Sequence, residues 1–92
     1  MKRDANERAI VDALRGAGCL VQQLEQGHGV PDLLVCTPGG ILLLLEVKDG
    51  PKKKLTTDQT RWHAQWSRAP LHVVTSTADA LATFSPLELY NV

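Results

Sequence analysis

The run ILLLLEVK, residues 41–48, limits what this chain can become more than any other stretch of it. One isoleucine and four leucines pass straight into an acid, a valine and a lysine. A span of this length is far short of the ~20 residues that cross a bilayer. Its apolar character is unbroken rather than alternating, which suits a strand buried on both faces of a sheet. Such a strand then carries Glu46 and Lys48 at its tip. Side chains alternate along a strand, so these two share one face and Val47 takes the other.

The segments around this strand read as one compact α/β unit over residues 1–92, without repeats or a low-complexity linker. Ile10, Val11 and Leu14 recur at helical spacing within residues 3–17, and Gly16 and Gly18 end the pattern. Residues 19–24 read as a short strand, EQGHGVP as a glycine-rich loop, and DLLVC (32–36) as a second strand. TPGG has proline and glycine where a type II turn wants them, so the second and third strands form an antiparallel hairpin. A charged loop, DGPKKKL, leads to a helix at about 57–67, a strand at LHVVT and a short helix near 78–84. The order αβββαβα predicts a mixed central sheet flanked by helices.

The hairpin turn joins the far ends of its two strands, so their near ends meet. Counting out from the turn sets Cys36 opposite Ile41 or Leu42, and Asp32 opposite Leu45 or Glu46. Two carboxylates and an ammonium thereby converge at one corner of the sheet. Close carboxylates repel, and one holds its proton unless a cation lies between them. A few hard oxygen ligands with room left for water and phosphate are what magnesium accepts. Lys48 is placed to orient or deprotonate a metal-bound water, or to neutralise charge on a phosphate. An ordinary salt bridge at a strand end, with Asp32 capping a turn, is the competing account.

VPD followed by EVK, within the string GVPDLLV…GGILLLLEVKDG…KLTTDQTRWH, resembles the PD-(D/E)XK nucleases and, among them, the VRR-NUC branch. The resemblance runs from the first helix through LHVVTSTADAL. It implies the restriction-endonuclease-like αβββαβ core and a phosphodiesterase acting on DNA with Mg²⁺ or Mn²⁺. Asp32 and Glu46 match its metal-binding acids, Lys48 its lysine, and Val47 the residue whose carbonyl completes the metal shell. Glu7 matches an acid that the family uses on its first helix, and Gln59 a glutamine near the catalytic lysine.

The residues themselves leave some of these roles open. Glu7 lies beside the apolar stripe of the first helix, where an acid is either a ligand, an outer acceptor, or a first-turn glutamate favoured by the helix dipole. In TTDQ, Thr56 reads as an N-cap and Gln59 as its capping-box partner, and Gln59 shares a face with Trp62, His63 and Trp66. The two tryptophans read as core residues packing this helix on the sheet, with base stacking as the alternative. Lys52, Lys53 and Lys54 form either a solvated loop or, with Arg61, a phosphate-contacting rim. His28 reads as an exposed loop residue, and His63 and His72 as structural.

Composition closes off other classes. Ten basic and ten acidic residues cancel, so contact with nucleic acid is local rather than through a global basic field. Cys19 and Cys36 have no CxxC spacing and read as buried thiols of a reducing cytoplasm, or of a host cell interior for a phage-encoded chain. No signal peptide or membrane span is expected. The reading that follows is a nuclease for structured or branched DNA, of Holliday-junction or flap type. A non-catalytic DNA-binding module of the same fold is the alternative. A homodimer is the expected working unit, because resolving a branch takes two cuts and FSPLELYNV offers Leu87, Leu89, Tyr90 and Val92 to a second copy or to its own sheet.

Overall fold

Leu33, Val35, Leu43, Leu45 and Val47 point to one side of a sheet, and Ile10, Val11 and Leu14 of a helix meet them there. The computed structural model describes residues 3–84. Its elements are α1 (Glu7–Gly16), β1 (Leu20–Gln23), β2 (Leu33–Cys36), β3 (Leu42–Val47), α2 (Thr57–Gln65), β4 (Leu71–Val74) and α3 (Thr77–Leu81). The sheet has four strands in the order β1-β2-β3-β4. β1, β2 and β3 run as an antiparallel meander, and β4 lies parallel to β3. The expected mixed sheet with flanking helices is what forms.

α1 and α3 cover one face and close the core, which also takes in Cys19, Val74, Ala80 and Phe84. Each fully buried aliphatic side chain of this set contributes about 1.5–3 kcal/mol over leaving it in water. Gly18 ends α1 in the left-handed conformation (φ 94°), and the Cys19 N–H donates back to the Leu14 carbonyl at 3.0 Å. That closure turns the chain directly into β1.

The hairpin register pairs Cys36 with Leu42 and Leu33 with Leu45. Asp32 therefore falls beside Glu46, one step further along. The TPGG turn differs in kind from the expected type II. Thr37 accepts from the Gly40 N–H at 2.9 Å, and the left-handed residue is Gly40 (φ 88°), one place beyond the position a type II turn requires. With glycine at both positions, composition does not separate the two turns.

β3 is not buried on both faces along its whole length. Leu43, Leu45 and Val47 are core, but on the opposite face Leu42 is 57% exposed and only Glu46 and Lys48 are fully enclosed. α2 lies over that polar end and buries no residue of its own. Trp62 and Trp66 are accordingly not core residues. They stack on each other with ring centroids 4.7 Å apart, and Trp66 is 50% exposed. Cys36, expected to be buried, is partly exposed on the same open face, while Cys19 is in the core.

Candidate functional site

The C-terminal end of β3 carries the polar cluster, and five segments converge to hold it. Glu46 is 1% exposed and Lys48 8% exposed, on the face away from α1, as strand alternation requires. Asp32 is buried at the mouth of β2. Its Oδ2 accepts the Val47 N–H at 2.7 Å, which ties the start of β2 to the tip of β3. Its Oδ1 accepts from Gln26 Nε2 at 3.1 Å.

Glu46 is gripped from α2. Its Oε2 accepts from Gln59 Nε2 at 3.1 Å, and its Oε1 lies 3.4 Å from His63 Nε2. Gln59 also completes a capping box. Its Oε1 accepts the Thr56 N–H at 2.9 Å, while its own N–H donates to Thr56 Oγ1 at 3.2 Å. One amide thus serves both roles the sequence leaves open: its oxygen caps the helix and its nitrogen holds the carboxylate.

Burial, first, then a hydrogen bond shared with Asp32 and the charge of Asp32, pushes the Glu46 carboxyl up to about 9, with Lys48 pulling the other way. At neutral pH and without a cation Glu46 therefore holds its proton. His63 is held below its usual range by burial and by Lys48, which keeps its ring neutral.

Glu7 is buried on α1, where its Oε2 accepts from Arg3 Nη1 at 2.8 Å and from Gln23 Nε2 at 2.7 Å. Its Oε1 is buried without a partner. Burial raises its pKa and nearby Asp32 adds to the rise, against the lowering effects of Gln23 and Arg3. Next to it Asn6, at the N-cap of α1, makes no cap bond. Its amide instead donates to the Lys48 and Thr75 carbonyls, both at 3.0 Å, and so clamps the ends of β3 and β4. No group of three or more His, Cys, Asp and Glu side chains that could hold a metal ion forms among the described residues. Of the expected acids, Asp32 and Glu46 are the two buried side by side at the β2–β3 corner.

The rim is looser. Lys52, Lys53 and Lys54 are exposed in the loop after β3. Lys53 Nζ lies 3.6 Å from Asp4 Oδ1, and Arg61 pairs with Asp58 at 3.5 Å on the surface of α2. Between the glycine-rich loop and the first turn of α2 runs a groove of about 340 Å³, lined by residues that include Gln26, His28, Asp32 and Gln59. Val30 donates to the Gly27 carbonyl, and His28 (φ 55°) and Gly29 (φ 82°) between them take the left-handed pair of a type I′ turn.

Sequence reasoning misses Arg3, Asn6, Gln23 and Gln26, and reads His63 as structural. His63 is within its reach, since it stands one helical turn after Gln59 on the same face. Arg3 is likewise four residues before Glu7. Gln23 and Gln26 give no signal, because only the fold turns β1 and the loop toward the acids.

A buried Asp at the start of one hairpin strand lies beside Glu-x-Lys at the end of the next, in a sheet completed by a parallel strand, which is the arrangement that the resemblance to PD-(D/E)XK nucleases implies. A solved structure described as a VRR_NUC domain superposes with a TM-score of 0.71 at 29% identity, covering 83% of this chain and 86% of that one. That likeness supports assigning the chain to the VRR-NUC family. No family model matches it, and no curated protein does.

Proposed function

We propose that this chain is a Mg²⁺- or Mn²⁺-dependent endonuclease that hydrolyses phosphodiester bonds in structured or branched DNA, of Holliday-junction or flap type. One observation carries the reading: two buried carboxylates, Asp32 and Glu46, press together beside a buried lysine, an arrangement that is costly unless a cation relieves it. Asp32, Glu46 and the Val47 carbonyl are the groups that would hold the ion. When bound, it supplies a Lewis acid for the phosphate and lowers the pKa of a coordinated water.

The chain's own residues do the remaining work. The Val47 N–H and Gln26 fix the Asp32 carboxylate, while Gln59 and His63 fix that of Glu46. Lys48, its backbone clamped by Asn6, orients the attacking water and offsets charge on the phosphate. Glu7 backs the site from behind as its outer acid. Lys52 and Lys54, with Arg61, contact phosphates along the rim, and Lys53 contributes after release from Asp4. The working unit is a homodimer, which places two sites on a two-fold substrate. The open apolar face of the sheet supports pairing; Leu87, Leu89, Tyr90 and Val92 lie outside the described residues.

Incubation of the pure chain with linear, flap and four-way-junction DNAs, in Mg²⁺, Mn²⁺ or EDTA, tests the reading. Cutting of branched DNA only with metal is expected. Asp32→Asn keeps the fold and abolishes cutting, and Lys48→Ala binds metal but cuts poorly. Full activity in Asp32→Asn overturns the site assignment, and metal-insensitive binding without cutting favours the non-catalytic module.

A further inference from the structure

Glu7 and Asp32 already have a cation between them, and it belongs to the chain. Arg3 Nη1 stands 2.8 Å from Glu7 Oε2 and 4.0 Å from Asp32 Oδ1. Its Nη2 donates to the Leu24 carbonyl at 2.6 Å, so the fork is held by α1, by the end of β1 and by the start of β2. The two carboxylates are almost fully enclosed, and the guanidinium is about one-third exposed, with side-chain values of 2%, 8% and 31%. A guanidinium suits this place: it is always charged, gives up water more readily than an ammonium, and offers its donors in a rigid fork.

We infer that Arg3 is a positioning residue that occupies the second-cation place of the site, so that the chain takes one divalent ion, at Asp32 and Glu46, and not two. The inference rests on the metal reading above and deepens it. Three observations meet in it. Glu7 is the acid that a second ion would have to use beside Asp32, and its Oε2 is already taken by Arg3 and Gln23. A second ion would have to break Arg3's ion pair with Glu7 and its bond to the Leu24 carbonyl before it could bind there. The unpartnered Glu7 Oε1 is the atom that would accept a second ion if the guanidinium were gone. The fixed positive charge of Arg3 faces Asp32 at 4.0 Å without being a ligand to the first ion.

Manganese stoichiometry decides the matter without any cleavage assay. The full chain, stripped with EDTA and free of DNA, is titrated with Mn²⁺ and followed by calorimetry and by loss of the free-ion paramagnetic resonance signal. Wild type is expected to bind one ion per chain. Arg3→Gln is expected to bind a second, and Arg3→Lys, which keeps the charge, to stay at one. Asp32→Asn removes the first ion and shows that the ion counted is the one in the site. Two ions in wild type, or still one in a folded Arg3→Gln, overturns the inference while leaving the metal reading intact. No ion in wild type instead sinks the metal reading, and this inference with it. Where circular dichroism shows Arg3→Gln unfolded, the wild-type and Arg3→Lys counts still decide.

Discussion

At the scale of single residues, Glu46 holds its proton where an ordinary glutamate has lost it. Glu46 is pushed up to about 9 from an ordinary 4.5, so the folded protein binds this proton more tightly than the unfolded chain does. The stability from this group is therefore complete below about 4.5 and is lost progressively as pH rises toward about 9. Denaturant melts in EDTA across that window are expected to show the decline, and Glu46→Gln to flatten it. Metal requires the ionised form, so binding near neutral pH releases a proton. Calorimetry in buffers of different ionisation enthalpy reads that release directly. Metal binding with no buffer dependence contradicts a protonated Glu46 in the metal-free protein.

At the scale of elements, the Glu46 carboxylate and α2 depend on each other. The capping box fixes the first turn of the helix, and the glycine-rich loop is pressed against it. A Cβ at Gly29 would overlap the Asp58 carbonyl, and its φ of 82° strains any other residue. Gly29→Ala is expected to destabilise by about 1–3 kcal/mol and to loosen the hold on Glu46. Thr56→Ala, which removes only the cap, is expected to cost about 1 kcal/mol. Urea melts of both variants check the order. The lysine loop makes a separate prediction. Lys52, Lys53 and Lys54 changed together to Gln should flatten the salt dependence of DNA binding, by up to about 0.9 in log–log slope for each phosphate that a lysine no longer neutralises. An unchanged slope returns them to the solvated-loop account.

The same scale shows what a sequence reveals. Strand alternation and hairpin counting bring Asp32, Glu46 and Lys48 together, because both rules act along the chain. The capping box is legible for the same reason. Gln23 reaches Glu7, and Arg3 reaches Leu24 and Asp32, across segments far apart in the chain. Gln26 meets Asp32 only because the loop between them folds back. These contacts follow only from how α1, β1 and the loop dock. Trp62 and Trp66 mislead because an aromatic pair on a helix face reads as a buried face. Here α2 sits over charged groups and has no apolar floor to receive them.

At the scale of the whole molecule, one side of the sheet is closed by α1 and α3 and the other is largely open. Leu20 (73% exposed), Leu42 (57%) and Val73 (46%) share that open face, with Leu34, Leu44 and Leu71 partly covered between them. Exposed apolar area of this kind on a small protein marks an interaction surface. Sedimentation equilibrium at micromolar concentration is expected to give a dimer mass, and Leu20→Lys with Leu42→Lys a monomer. A monomeric wild type that still resolves a four-way junction would refute pairing as the working state.

The stacked indoles on α2 carry one more consequence. They are the chain's full complement of tryptophan, and their helix meets the rest of the site through Gln59 and His63 on Glu46. A cation that draws Glu46 away is expected to re-seat that helix and to turn the two rings relative to each other. Parallel rings this close couple their optical transitions, so the protein comes with a built-in spectroscopic gauge. Near-ultraviolet dichroism of the unlabelled molecule is then expected to change as the proposed site fills, and an unchanged spectrum on metal addition counts against it.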